Sequence, residues 1–244
     1  MATVPRQRRA RELDYPTRDG KPMAETDLHR DDMTDLIQTL KDYFARARRV
    51  YVSGNLLVYY EEGNRRKHVA PDVFVVRGVK KHDRENYLVW AEGRAPHLVI
   101  EITSKSTRRE DQKKKRGIYR DILKVTEYFL FDPKAEYLNP PLQGFRLVAG
   151  DYVPITPIDG RLPSQVLGLR LERDGAKLRL WDPATGQRLP TPLEARAAAE
   201  HRAEAADRRA EEERQRAEAA EAAQRRDAEE MERLRREIEA LRRG

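Results

Sequence analysis

Two acidic residues interrupt apolar, strand-like segments, and a lysine-rich segment follows them. Asp72 precedes the run Val73–Val76, and Glu101 lies inside the apolar run Leu98–Ile102. A buried charge without a partner is costly, so these carboxylates need a cation. A divalent metal meets that need because hard cations prefer oxygen ligands, and Lys113–Lys115 supplies further positive charge. Two carboxylates, a metal and a lysine form the kind of site that hydrolyses a phosphodiester.

The surrounding sequence predicts elements that could bring these residues together. Helices are indicated by apolar side chains at spacings of three and four, and strands by short β-branched and aromatic runs. The predicted elements, in chain order, are a helix (25–47), three strand segments (50–60, 69–76 and 98–102), a helix (107–124) and a strand (126–131). Parallel pairing of the last two strands would make the second helix their crossover connection. Short β-like pieces in 137–185 indicate an antiparallel addition to this core.

The C-terminal part has a different composition, dominated by Ala, Glu and Arg from about Leu193. A seam of positions alternating by four and three runs from Ala199 to Leu241, which predicts a coiled coil. Only its last two heptads carry large apolar side chains, namely Met231, Leu234, Ile238 and Leu241. The alternative is a single solvated helix with many ion pairs between residues four apart. The predicted divisions are therefore an N-terminal arm (1–24), a core domain (25–190) and a coiled-coil helix (191–244).

Composition limits the classes of function. The 244 residues include no cysteine, which excludes disulfides, thiolate metal sites and cysteine nucleophiles and fits a cytoplasmic location. No apolar run reaches the roughly 20 residues that cross a bilayer, so we expect no membrane partner. The first 190 residues carry a net charge of +9 and the remainder −2. A basic core favours a polyanionic partner such as DNA, and the arginine-rich arm is either a solvated tail or a further phosphate contact.

The order of these motifs resembles the PD-(D/E)xK nuclease superfamily and, within it, the Uma family of restriction-endonuclease-like proteins. The matching stretches are Tyr15–Leu28, Ala70–Val73, Leu98–Thr107, the residues Asp111, Lys115 and Tyr119 at spacings of four, and Glu127–Pro133. The resemblance covers about residues 15–185. The resemblance implies an α/β fold with a restriction-endonuclease-like αβββαβ core and a mixed sheet. Antiparallel strands and a long C-terminal coiled-coil helix would be added to that core.

The resemblance also implies a metal site. Asp72 and Glu101 match direct ligands of a divalent cation, and the backbone carbonyl of Ile102 would be a further ligand. Mg²⁺ suits such an oxygen-only site, and Mn²⁺ is an alternative. The cation would lower the pKa of a water molecule and offset the charge that develops on the phosphate.

The lysine departs from the superfamily pattern. Thr103, and not a lysine, stands two residues after Glu101. Lys115 from the following helix matches the substitute position found in the Uma family, and Lys105 is its rival. Glu25 at the start of the first helix is a candidate third acid. The predicted catalytic residues are therefore Asp72, Glu101, Lys115 and Glu25, and the predicted metal ligands are Asp72, Glu101 and the Ile102 carbonyl.

The sequence therefore predicts a Mg²⁺-dependent endodeoxyribonuclease that forms a homodimer through its C-terminal coiled coil. The alternative is a catalytically inactive nuclease fold that acts as a binding or assembly module through its basic surface and coiled coil. In that case Asp72 could cap a turn, and Glu101 could form a buried ion pair with Lys115 or Arg109 without any metal. A purely structural coiled-coil adaptor is a third possibility.

Overall fold

The structure is a computed structural model that describes residues 15–17, 26–103 and 110–243. It divides into two compact units, residues 1–192 and residues 193–244. No helix within the described ranges is long and apolar enough to cross a bilayer.

The first unit is built from thirteen described strands and two α-helices. The helices are α1 (Asp27–Tyr43) and α2 (Val89–Glu92). The strands are β1 (Val50–Ser53), β2 (Val58–Tyr59), β3 (His68–Val69), β4 (Val73–Arg77), β5 (Tyr87–Leu88), β6 (Leu98–Ile102), β7 (Glu127–Phe131), β8 (Leu142–Val148), β9 (Asp151–Pro154), β10 (Leu162–Ser164), β11 (Leu169–Asp174), β12 (Lys177–Asp182) and β13 (Gln187–Arg188).

Six of these strands form the central sheet, in the order β1-β4-β6-β7-β8-β9. β6 and β7 pair in parallel and the other neighbours pair antiparallel. A helical segment, residues 110–122, lies between β6 and β7 in the chain and contains two π-helical stretches, Glu110–Lys115 and Ile118–Ile122. In chain order, α1 precedes the mixed sheet and the helical segment connects β6 to β7. This arrangement confirms the predicted αβββαβ core.

Both faces of the central strands are covered, which explains why β6 and β7 are apolar along their length. One face packs against α1 through Met33, Leu36 and Leu40. The other face packs against the crossover segment through Tyr119 and Leu123. Every residue of β6 and β7 is buried, so any charged side chain there must find its partner inside the protein.

Two boundaries differ from the sequence prediction. The strand predicted over 69–76 is broken: β3 ends at Val69 and pairs with β2, whereas β4 starts at Val73 and belongs to the central sheet. Pro71 lies between them, and a proline lacks the N–H that a continuous strand needs. The break leaves Asp72 just ahead of β4, at the end of the sheet.

The predicted antiparallel addition is present as two parts. β8 and β9 extend the central sheet, and β10 to β13 form a separate four-stranded antiparallel sheet. In the second unit, the helix α3 runs from Pro192 to Arg243. The prediction of a long C-terminal helix is thus confirmed.

Candidate active site

The pairing of β4 with β6 sets the positions of the two acids. Val73 pairs with Ile100, and extending that register by one residue places Asp72 opposite Glu101. Residues opposite each other on paired strands project from the same face of a sheet. The two acids therefore share one face, next to the crossover segment.

Glu101 is fully buried and is held by two side chains of that segment. The Lys115 ammonium lies 2.8 Å from Oε2, and the Tyr119 hydroxyl donates to Oε1 at 2.5 Å. Burial, followed by the negative charge of Glu101, raises the pKa of Tyr119 well above its ordinary value. Tyr119 therefore stays a neutral hydroxyl and remains a hydrogen-bond donor to the carboxylate.

Asp72 is held by the backbone of β6 and by α1. Its Oδ2 accepts the Ile102 N–H at 2.7 Å, and its Oδ1 lies 3.4 Å from Nε2 of His29. Burial alone would raise the pKa of Asp72. The His29 ring, the positive charge of Lys115 and the Ile102 N–H outweigh burial, and the pKa is lowered below its ordinary value. Asp72 is consequently an anion at neutral pH.

Lys115 links the two acids electrostatically. It pairs directly with Glu101, and its charge also lowers the pKa of Asp72. Its side chain is only 16% exposed, so solvent screens these interactions weakly. Three predicted site residues, Asp72, Glu101 and Lys115, therefore come together in one place.

The structure does not place the remaining predicted site residues as metal ligands or catalytic groups. Glu25 and Lys105 lie outside the described residues, as does the side chain of Asp111. Ile102 lies at the site through its N–H, whereas the role of its carbonyl as a metal ligand stays a prediction.

His29 and Tyr119 contact the acids, yet the sequence assigned a site role to neither. The spacing of Tyr119, four residues after Lys115, carried a usable signal because residues four apart share a helical face. His29 also has a sequence signal, because it follows the candidate acid Glu25 by one helical turn, although packing is the simpler interpretation of that histidine. Its position follows from the start of α1, where the Thr26 side chain accepts the His29 N–H at 3.3 Å, and this fixes where the ring meets Asp72.

The donor atoms suit a hard divalent cation in their chemistry, since both Asp72 and Glu101 offer carboxylate oxygens. An ionised carboxylate has about four lone-pair positions, and the hydrogen bond to Asp72 from the Ile102 N–H and the contact with His29 involve different oxygens of that carboxylate. Within the described part of the chain, however, no group of three or more His, Asp or Glu side chains could hold a metal ion. Oxygen donors from the backbone, from water or from residues outside the described ranges, such as the candidate acid Glu25, would complete a coordination shell.

Comparisons with known proteins assign the chain to a family. No curated protein matches the chain. A solved structure of "a putative nuclease" from Anabaena variabilis is similar with a TM-score of 0.44 and 15% sequence identity, covering 64% of this chain and 86% of that chain. The model of the Uma2 family, described as "Putative restriction endonuclease", matches residues 5–174. Because this match spans more than half of the 244 residues, the chain belongs to the Uma2 family of restriction-endonuclease-like proteins.

Proposed function

We propose that the protein is a divalent-metal-dependent endonuclease that hydrolyses DNA phosphodiester bonds, with Mg²⁺ as the favoured ion and Mn²⁺ as an alternative. Family membership supports a nuclease. The single observation that carries the proposal is the convergence of Asp72, Glu101 and Lys115 at the end of the central sheet. Two carboxylates beside an ammonium group provide both the ligands and the charge that phosphodiester hydrolysis needs.

Asp72 and Glu101 would hold the cation, and the carbonyl of Ile102 is a candidate third oxygen donor. A bound divalent cation would supply Lewis acidity at the phosphate and a source of hydroxide near neutral pH. Asp72 is kept anionic and oriented by the Ile102 N–H and by His29. Tyr119 fixes the orientation of the Glu101 carboxylate from the buried side.

Lys115 would act on the substrate. Its ammonium lies 2.8 Å from the Glu101 carboxylate, and a lysine ammonium binds phosphate oxygens as a compact positive charge. A donor directed towards a phosphate oxygen would offset the charge that develops there. Lys113 and Lys114 are exposed on the same segment and suit contacts with neighbouring phosphates, which orient a duplex without reading its sequence.

Cleavage of supercoiled plasmid DNA by the purified chain tests the proposal. We expect nicking and linearisation with Mg²⁺ or Mn²⁺, none with EDTA, and a loss of about 100-fold or more for Asp72→Ala and Glu101→Gln. Lys67→Met, at an exposed lysine in the connection between β2 and β3, is the matched control and should keep most of the activity. Wild-type protein that cuts no faster than Asp72→Ala with either metal would overturn the proposal.

A second candidate function is a nuclease fold that binds DNA or a protein partner without cutting. One observation favours it: the Glu101 charge is already neutralised by Lys115 and satisfied by Tyr119, so the site is stable without a metal. Calorimetry separates the two. Mg²⁺ or Mn²⁺ binding that Glu101→Gln abolishes supports the nuclease, whereas DNA binding without metal binding supports the inactive module.

The proposed biological unit is a homodimer joined through α3. Cutting both strands of a duplex requires two cleavage events, and two copies of the site would provide them. The exposed apolar side chains at the end of α3 are the feature that supports this pairing.

A further inference from the structure

The C-terminal end of α3 carries an apolar stripe. α3 has 52 residues, which corresponds to a length of about 78 Å. Met231, Leu234 and Ile238 are 55%, 42% and 51% exposed, although they are among the few large apolar residues of an otherwise charged helix. Their spacing of three and four places them on one side of the helix, where they form a stripe that a partner helix can cover.

The apolar stripe also defines the heptad positions of a coiled coil. Met231 and Ile238 occupy the first core position of successive heptads, and Leu234 occupies the second. Ile238 is β-branched, and a β-branched residue at the first position with leucine at the second favours two-stranded assemblies. A second copy of α3 is therefore a fitting partner for the stripe.

Charges beside the stripe set the direction of pairing. Glu230 and Glu237 precede the first core position, whereas Arg235 and Arg242 follow the second, and all four are exposed. In a parallel, in-register pair each glutamate faces the arginine five residues later on the other copy. Glu230 then faces Arg235, and Glu237 faces Arg242, so that every flanking pair joins opposite charges.

Antiparallel pairing of the same segment brings like charges together. In that arrangement the positions before the core face each other, and so do the positions after it. Glu230 would then face Glu237, and Arg235 would face Arg242, which is unfavourable for each pair. The charge pattern thus distinguishes between the two directions, which the apolar stripe alone does not.

Further upstream the pattern weakens. Arg216 would still face Glu221 in the parallel arrangement, but Arg209 would face Arg214, and the core positions there are occupied mainly by alanine. Alanine buries little apolar surface. The pairing is therefore confined to the final heptads, residues 230–242.

We propose that residues 230–242 of α3 pair with the same residues of a second copy as a parallel, in-register coiled coil. The N-terminal ends of both helices then lie at the same end of the pair. This orientation does not depend on the proposed nuclease activity. It concerns self-association and is measured without DNA or metal.

Cysteine cross-linking tests the register, because the natural chain has no cysteine. In the parallel pair Leu234 faces its own copy, so full-length Leu234→Cys should form a disulfide-linked dimer under mild oxidation. Arg233→Cys, one residue away and outside the seam, is the control and should cross-link at least about tenfold more slowly. Equal cross-linking of the two variants, or cross-linking only in a mixture of Leu234→Cys with Ile238→Cys, would overturn the proposal, since the latter is the antiparallel result.

Charge reversal tests the flanking pairs. The double variants Glu230→Arg/Glu237→Arg and Arg235→Glu/Arg242→Glu should each dimerise about 10- to 100-fold more weakly at low salt, because each reversal opposes like charges. Mixing the two variants should restore a heterodimer in sedimentation equilibrium. The exposed positions keep the fold of the first unit intact, which circular dichroism checks. Failure of the mixture to associate, or a monomeric wild-type chain at about 100 μM, would refute the parallel arrangement.

Discussion

Replacing Lys115 by methionine should expose how strongly the buried Glu101 depends on its ammonium partner. Lys115 and Glu101 are 16% and 0% exposed, and their charged atoms lie 2.8 Å apart. Methionine keeps most of the aliphatic stem of lysine and removes only the charge. Glu101 then retains the Tyr119 hydroxyl but loses the positive charge that offsets its burial.

The expected cost is about 3 kcal/mol in the free energy of unfolding, measured in EDTA. Removing one partner of a buried ion pair costs about 3–5 kcal/mol, and the hydrogen bond from Tyr119 brings the estimate to the lower end. The double variant Lys115→Met/Glu101→Gln removes both charges and should recover about 1–2 kcal/mol of that loss. Tyr119→Phe, which removes one hydrogen bond to a charged group, should cost about 1.5–3 kcal/mol.

Urea unfolding followed by tryptophan fluorescence and circular dichroism measures these values, and the double-mutant cycle gives the coupling energy between residues 101 and 115. Lys113→Met controls for loss of a lysine from the same segment and should change stability by less than about 0.5 kcal/mol. A loss below about 1 kcal/mol for Lys115→Met, or a double variant no more stable than the single one, would contradict the ion-pair geometry.

Three further changes test other buried positions of the first unit. Burial, partly offset by Lys177, raises the pKa of Asp32 from 3.8 to about 6. The folded state therefore binds this proton more tightly than the unfolded state does, and the free energy of unfolding falls as the pH rises from about 4 to 6. Asp32→Asn should stabilise the protein by about 2–3 kcal/mol at pH 7.5 and by little at pH 4, as urea unfolding at the two pH values would show. Gly54→Ala should lower the free energy of unfolding by about 2–3 kcal/mol and impair DNA cleavage, because an added Cβ would lie 1.9 Å from the Asp72 carbonyl oxygen. Gly117→Ala is the control, since an added Cβ there meets no close contact, and similar melting curves for the two variants would argue against the predicted clash. Glu127→Gln should lower the free energy of unfolding by about 2–4 kcal/mol, as measured by chemical denaturation. This buried carboxylate accepts hydrogen bonds from an arginine, a serine hydroxyl and two backbone N–H groups, and a near-neutral result would contradict that network.

The core of the fold could be predicted because its signals are local. The apolar spacing in α1 and the uniformly buried strand β6 specify their own structure, and a parallel pair of strands requires a long crossover between them. The break at Pro71 was missed because the apolar run continues across it. Whether β3 and β4 join the same sheet depends on strands that are distant in the chain. The spacing of apolar residues within a strand does not indicate which distant strand it pairs with.

The candidate site could be predicted in part for the same reason. Asp72 and Glu101 stand out because charges in apolar runs are rare, and Lys115 was found through the family motif. The sequence gives His29 only its place one helical turn after Glu25, and gives Glu127 only its place in the matching stretch Glu127–Pro133. His29 contacts Asp72, and Glu127 contacts the segment 164–166. Both partners are distant in sequence, and only folding brings them close.

The place of the lysine follows from how β6 ends. Residue 103 shares a face with Glu101 because side chains alternate along an extended chain, so a lysine there would reach the same carboxylate. In this protein Thr103 is 3% exposed, and its hydroxyl hydrogen-bonds the Tyr137 hydroxyl, which leaves no room for a longer charged side chain. The crossover segment covers the same face and delivers an ammonium through Lys115. The charge next to Glu101 is thus supplied by the helical segment, while the end of the strand is used to anchor the loop that follows β7.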